Sequence, residues 1–293
     1  MMWTKPYGMK EGFLIGGGLV VAGLMLQLSA GPVVWDAFRW PVNGIVLAAF
    51  LLFIAIVFML RKRVCGFQFL GTYKAAIPAL VYVVLLTVVM GLMPQTVSGS
   101  WLNNMLSFWP FVLSYLWLMV LVGSVCMTRL RPSWRNVSFL LNHLGVVIAI
   151  VSATLGNADI RKLQMTAFTG ETEWRALDEV GRVCEPGLAI ELHQFTMEEY
   201  PDHTPKRFAS DITVYTEDGK TVRGTVEVNK PLKVNGWKIY QYGYDSVRGA
   251  ESAYSVFQLV RDPWIFWVYL GIFLMIAGAL CLMFFMAPKP VKV

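Results

Sequence analysis

Six long apolar runs, at residues 13–30, 42–60, 75–93, 110–128, 139–155 and 264–286, constrain this chain of 293 residues more than any other feature. Each approaches the roughly 17–25 apolar residues that a helix needs to cross the hydrocarbon core of a bilayer. No water is present there to bond backbone N–H and C=O groups, so such a run crosses only as a helix that satisfies its own polar groups. The first run is Gly-rich and lacks a convincing small-residue cleavage site, Gln27, Ser29, Ala30 and Gly31 being the only weak hint. It is therefore expected to be a retained span and not a signal peptide. The remaining composition, 56% hydrophobic with a mean hydropathy of +0.54, agrees with a membrane protein of six transmembrane helices.

The distribution of charge predicts the orientation. Outside residues 157–262 the chain has twelve Lys and Arg, and with the N-terminus inside, eleven of them fall on the inner face. Arg39 alone falls outside, and the loop 94–109 has no Lys or Arg at all. The positive-inside rule then puts both termini inside and residues 157–262 outside the membrane. The net charge of +6 is no sign of nucleic-acid binding: residues 157–262 hold 13 basic and 17 acidic side chains, while Glu11 and Asp36 are the only acidic residues elsewhere. The water-facing part is mildly acidic, so no nucleic-acid partner is expected.

Within 157–262 the pattern changes to period two. Leu188, Ile190 and Leu192 alternate with small or acidic residues, and residues 211–228 read as a hairpin around Asp218-Gly219, a pair suited to positive φ. Asn235-Gly236 marks a second turn, and 252–260 forms a last strand before Arg261-Asp262-Pro263 and the sixth span. About a hundred residues with several hairpins predict a β-rich domain, a sandwich or partly closed barrel, inserted between helices 5 and 6. Residues 169–186, rich in Glu and Gly, read as a loop. Trp237, Tyr240, Tyr242 and Tyr244 supply rings for packing or for docking a protein partner. His193 and His203 have no fitting carboxylate or cysteine spacing for zinc, and neither a P-loop nor a dinucleotide fingerprint occurs. The four cysteines (Cys65, Cys126, Cys184, Cys281) form no C-x-x-C pair, and Cys184 is alone in the outer domain. It reads as a small buried hydrophobe or as a thiol that pairs transiently with another protein.

One of only three histidines, His143, lies about four residues inside the fifth run, next to Asn142. Ionisable residues in a span are rare and mark functional sites. Two readings stand: a histidine that hydrogen-bonds a neighbouring helix together with Asn142, or a metal or cofactor ligand.

Several strings, in order, resemble the ResB/CcsB family of system II cytochrome c biogenesis. MGLMPQ (90–95), VCMTRLR (125–131) and SFLLNHLGVVIAIVSATLG (138–156) resemble its membrane helices. GLAIELHQFTMEEYPDHTPKRFASDITVY (187–215), VEVNKPLKVNGWKIYQYGYD (226–245) and RDP (261–263) resemble its outer domain and its last span. The strings cover roughly residues 74–287. They divide the chain into an extra N-terminal helix pair with its cytoplasmic loop (1–73), a three-helix ResB-like region (74–156), the outer β-domain (157–262), and a last helix with a cytoplasmic tail (263–293). Family members commonly have three spans before the outer domain; five precede it here, so the pair at 13–60 has no counterpart.

The resemblance implies a subunit, not catalytic alone, of a two-component holocytochrome c synthase. With a ResC/CcsA-type membrane partner it would carry haem across the membrane to apocytochrome c for thioether attachment. The cofactor is haem b, bound transiently and shared with the partner, and a thioredoxin-like thiol reductant is a further expected partner. His143 becomes an axial ligand of the haem iron, the second ligand coming from another chain. Gly145 would let a flat macrocycle or a helix approach closely, and Arg129, Arg131 and Arg135 would meet propionates or serve only as topology determinants. Trp101 and Trp109 read as an aromatic belt. The alternatives are a non-haem structural or permease-like subunit whose β-domain docks a partner, and an electron-carrying haem protein.

Topology is open to a direct test. Single cysteines at Asp202 or Asp218 should react with an impermeant maleimide in intact cells, and cysteines at Lys62 or Lys289 should not. Labelling at Lys62 from outside would overturn the orientation.

Overall fold

The computed structural model describes residues 5–95, 100–130, 133–202 and 204–285. They fall into two units, one formed by residues 1–158 with 264–293 and the other by 159–263.

The first unit is helical. Its long helices are α1 (Met9–Ala30), α2 (Val42–Leu60), α4 (Tyr73–Leu92), α5 (Trp109–Thr128), α6 (Trp134–Gly156) and α7 (Ile265–Phe285), with a short α3 (Cys65–Leu70) between α2 and α4. The six long ones are of sufficient length and hydropathy to cross a membrane. Large apolar side chains such as Leu51, Leu52 and Met59 on α2 and Phe266, Phe273 and Met283 on α7 point outward, an arrangement suited to lipid surroundings. Helix starts follow local chemistry. Glu11 turns back to accept a hydrogen bond from the Gly8 N–H at 2.7 Å, Pro110 occupies the first turn of α5, and Ser133 accepts from the Asn136 N–H at the start of α6.

Helix association in lipid lacks a hydrophobic drive and depends on close backbone approach and polar contacts. Both occur here. Asn43, fully buried on α2, donates to the Leu155 carbonyl at 3.2 Å, and Gln27 on α1 accepts from the Trp109 N–H at 3.2 Å. The loop after α4 is held by Gln95, whose amide donates to the carbonyls of Met90, Met93 and Leu102 while its oxygen accepts from the Met105 N–H. The Trp109 indole donates to the Gly31 carbonyl, so this ring of the expected aromatic belt ties the start of α5 to the end of α1, while Trp101 is about half exposed.

The second unit is a β-sandwich. Its strands are β1 (Arg161–Phe168), β2 (Thr172–Glu173), β3 (Ala176–Leu177), β4 (Val183–Cys184), β5 (Leu188–Glu199), β6 (Pro205–Thr216), β7 (Thr221–Glu227), β8 (Leu232–Val234), β9 (Trp237–Tyr244) and β10 (Tyr254–Arg261). One sheet has the order β4-β3-β1-β10-β9-β8 and the other β2-β5-β6-β7, with antiparallel neighbours throughout. Alternation sends Met165, Ile190, Leu192, Ile212, Val214, Ile239, Phe257 and Leu259 into a common core with no exposed surface. A buried polar clasp joins the sheets: the Ser210 hydroxyl on β6 lies 2.7 Å from Gln241 Oε1 on β9 and 2.8 Å from Ser255 Oγ on β10.

Both expected hairpins are present, β6–β7 through Asp218-Gly219 and β8–β9 through Asn235-Gly236, with Gly219, Asn235 and Gly236 at positive φ. The stretch 169–186 is not wholly loop: it carries β2, β3 and β4, each of two residues. Pairing against the longer β1 and β5 creates them, and a two-residue strand has no periodicity to read. Counting only the long apolar helices, the β-unit follows the fifth; because α3 intervenes, it follows the sixth helix of the chain.

Arg207 on β6 bonds Glu198 Oε1 at 2.7 Å and Glu227 Oε1 at 2.8 Å, and both carboxyls are held below their ordinary 4.5, chiefly by those hydrogen bonds. A carboxyl with a depressed folded pKa contributes stability above its unfolded pKa and loses it as pH falls through the folded value. Arg207→Gln should therefore bring the acid-induced loss of amide protection in β6 to a higher pH, within the region below about 4.5. An unchanged protection profile by hydrogen exchange would show that the pair does not act on stability.

Candidate functional site

His143 lies in the first half of α6, and what matters is how its two neighbours divide the helix surface. Asn142 donates its side-chain amide to the Met275 carbonyl of α7 at 3.2 Å. Gly145 is in the same seam: a Cβ there would stand 2.6 Å from the Gly271 carbonyl oxygen. A Cβ on Gly271 would be 2.5 Å from Ala149 N, and one on Gly278 would be 2.4 Å from Asn142 N. Contacts this short tolerate no side chain, so glycine here is a packing requirement. His143, one residue beyond Asn142, projects about 100° further round the helix. The side chain that bridges helices is thus Asn142, and His143 belongs to another face.

The ring of His143 is half-buried and stacks on Phe139, with centroids 3.8 Å apart and planes 17° from parallel. Its Nδ1 lies 3.0 Å from the Phe139 carbonyl oxygen. A carbonyl oxygen only accepts, so Nδ1 carries the proton and, in the neutral ring, Nε2 presents its lone pair. Histidines that bind metals commonly have this arrangement, the second nitrogen fixed by a backbone carbonyl. No partner to Nε2 occurs among the described residues. The donor set therefore fits one axial nitrogen for a haem iron. Among the described residues, no group of three or more His, Cys, Asp or Glu is placed to hold a metal ion without such a group.

Arg129, the residue that follows α5, places its guanidinium 5.2 Å from the Phe139 ring centroid, making a short series of Arg129, Phe139 and His143. Arg131 lies outside the described residues, and of Arg135 only the helical backbone is described. His193 is mid-strand in β5 and is already engaged, with Nε2 2.7 Å from Thr213 Oγ1 and Nδ1 3.7 Å from Glu191. His203 lies outside the described residues. Cys184 on β4 is a free thiol of intermediate exposure. The aromatic run of β9 divides: Trp237 is buried and donates to the Pro186 carbonyl, Tyr244 stacks on Phe195 and Phe208, and Tyr242 is 59% exposed.

The ResB-like family model matches residues 130–253, a segment that contains α6 with His143 and most of the β-unit. The relatives agree in kind. Cytochrome c biogenesis protein CcsB of Prochlorococcus marinus (strain NATL1A) is 28% identical over 102 residues, 35% of this chain and 23% of its own. Cytochrome c biogenesis protein Ccs1 of Pyropia yezoensis is 28% identical over 125 residues, 41% of this chain and 26% of its own. The chloroplastic CCS1 of Oryza sativa subsp. japonica is 32% identical over 77 residues, 25% of this chain and 14% of its own. The chain thus spans about a quarter of the length of the first two curated relatives and less of the third. The resemblance to the ResB/CcsB family is borne out, over a shorter stretch than the strings at 74–287. Among solved structures, cytochrome c haem lyase CcmF is similar over 96% of this chain and 46% of its own, at 15% identity and a TM-score of 0.42.

The division of labour on α6 predicts separable defects. Asn142→Leu should lower the thermal stability of the membrane unit by about 1 kcal/mol through loss of the interhelical bond. His143→Ala should leave it within about 0.5 kcal/mol, as expected away from a stabilising contact. A melt of each purified variant decides; a larger loss for His143→Ala would make the histidine the structural residue.

Proposed function

We propose that this chain is the haem-handling subunit of a two-component cytochrome c synthase, acting with a ResC/CcsA-type partner to deliver haem to apocytochrome c. The observation that carries the reading is His143: a span histidine whose Nδ1 is fixed by the Phe139 carbonyl and whose Nε2 meets no partner among the described residues. The family match supports it, because the matched residues 130–253 include this position. His143 supplies one axial nitrogen, and Phe139 and Arg129 hold and flank its ring. Bound haem b, in transit and shared with the partner, supplies the porphyrin whose attachment completes a c-type cytochrome. A second axial nitrogen would come from the partner, because His143 is the one histidine within the six apolar runs.

The proposed setting is the inner membrane of a bacterium, with both termini cytoplasmic and the β-unit outside, where apocytochrome c and a thioredoxin-like reductant meet it. The competing structural reading makes His143 a helix tie, a role that Asn142 already fills.

The test is the haem content of the complex co-purified with its ResC/CcsA-type partner. The wild type should show a bis-histidine Soret spectrum. His143→Ala should lower haem occupancy by roughly tenfold or more, the scale seen when metal sites lose even a supporting group. Added imidazole should restore part of the occupancy and of cytochrome c maturation, and His193→Ala should affect neither. Full haem content and maturation in a well-expressed His143→Ala protein would end the proposal.

A further inference from the structure

Away from His143, the helical unit contains a cavity of about 340 Å³ lined by Val57, Phe58 and Arg61 of α2 and its end, by Phe67, Gln68, Gly71 and Thr72 around α3, and by Ser124 and Thr128 of α5. Two polar groups on its wall have no hydrogen-bond partner among the described residues. Arg61 Nη1 is buried without a hydrogen bond, and so is the hydroxyl of Ser124, a residue only 4% exposed. Hydroxyls in helices normally bond a carbonyl of the preceding turn, as Ser114 does to Pro110, Thr87 to Val83 and Thr128 to Val125. Ser124 does not, although burying an unbonded hydroxyl is costly. Both groups can donate, and the lining includes no Asp or Glu. A cavity with a guanidinium and a hydroxyl, and no acid to answer them, is built for an anionic acceptor.

We propose that this cavity binds the phosphate of an anionic phospholipid. The site's depth and its two kinds of wall indicate a lipid. The 19 residues of α2 rise about 28 Å, close to the thickness of a hydrocarbon core, so Arg61 at its end lies at the interface where headgroups reside. Val57 and Phe58, within the last turn of α2, and Phe67 of α3 supply the apolar wall, and Arg61 lies over the Phe58 ring at 3.9 Å, which holds the guanidinium at the rim. Lys62 and Arg63 continue the positive charge outside the cavity. Arginine suits a phosphodiester because its fork of donors meets two oxygens together. Thr72, at the start of α4, gives its own hydroxyl to Phe69, so no side chain caps that helix start. The site joins the helix pair 13–60 to α5, and the inference does not depend on haem.

Native mass spectrometry of the full chain, purified from nanodiscs of phosphatidylglycerol or phosphatidylcholine, tests this. The wild type should retain phosphatidylglycerol in preference to phosphatidylcholine. Arg61→Gln should reduce that retention by about tenfold, the scale of one charge-assisted hydrogen bond. Ser124→Ala should reduce it less, and Lys62→Gln, outside the cavity, should leave it unchanged. Equal retention of the two lipids, or wild-type retention in Arg61→Gln, would overturn the proposal. So would stabilisation of lipid-free protein by inorganic phosphate without retention of phosphatidylglycerol, which would mark a free-anion site. If Arg61→Gln fails to accumulate, wild-type retention in Ser124→Ala overturns it alone.

Discussion

The seam between α6 and α7 is the contact on which the rest depends. In lipid, two apolar helices gain nothing by hiding from a solvent as apolar as themselves, so they associate where backbones can touch and polar groups can pair. Gly145, Gly271 and Gly278 remove the side chains that would hold the helices apart, and Asn142 adds a bond to a backbone carbonyl within the same stripe. Because the seam fixes the rotation of α6, it also determines what the other faces present. Asn142 is committed to α7, and His143, one residue later, is thereby left on a different face of α6.

The β-unit meets a related constraint in its own way. A domain inserted between two helices must begin and end near one place, and its first and last strands satisfy this by pairing with each other. β1 and β10 match from Arg161 opposite Arg261 to Phe168 opposite Tyr254 without a bulge. Antiparallel pairing of the terminal strands returns the chain to where it left, whatever the intervening hairpins do. The register shifts fall outside this pair, in the β5–β6 and β9–β10 ladders.

Much of this was legible in the sequence for physical reasons. Hydropathy marked six spans to within a few residues, except at α6, which starts five residues before the apolar run because Ser133 caps it beyond the hydrophobic stretch. Turn pairs marked two hairpins, since few residues adopt positive φ. What escaped notice depends on partners that are distant in sequence. β1 begins with two charged residues, Arg161 and Lys162, which carry no strand signal of their own, and only its pairing with β10 makes it a strand. The six residues of α3 are too few to show a period. The separation of Asn142 from His143 requires the phase of α6 against α7. Arg61 and Ser124 line one cavity from the end of one span and from another span, and both look ordinary where they stand.

The basic residues deserve the same separation of roles that α6 imposes on its neighbours. Arg61, Lys62, Arg63, Lys74 and Arg129 lie where α2 and α5 end and α4 begins. For orientation alone, any of them would do as well as another, because the insertion bias counts cations near a span and ignores their geometry. Geometry distinguishes them nonetheless. Lys62 and Arg63 are exposed, Arg129 lies near the ring beneath His143, and Arg61 is partly buried in the wall of the cavity that Ser124 also lines. A charge needed only for orientation would stay in water, where it is well solvated. Partial burial of a guanidinium without an acidic partner is unfavourable on its own, so the position of Arg61 is explained by a ligand and not by topology.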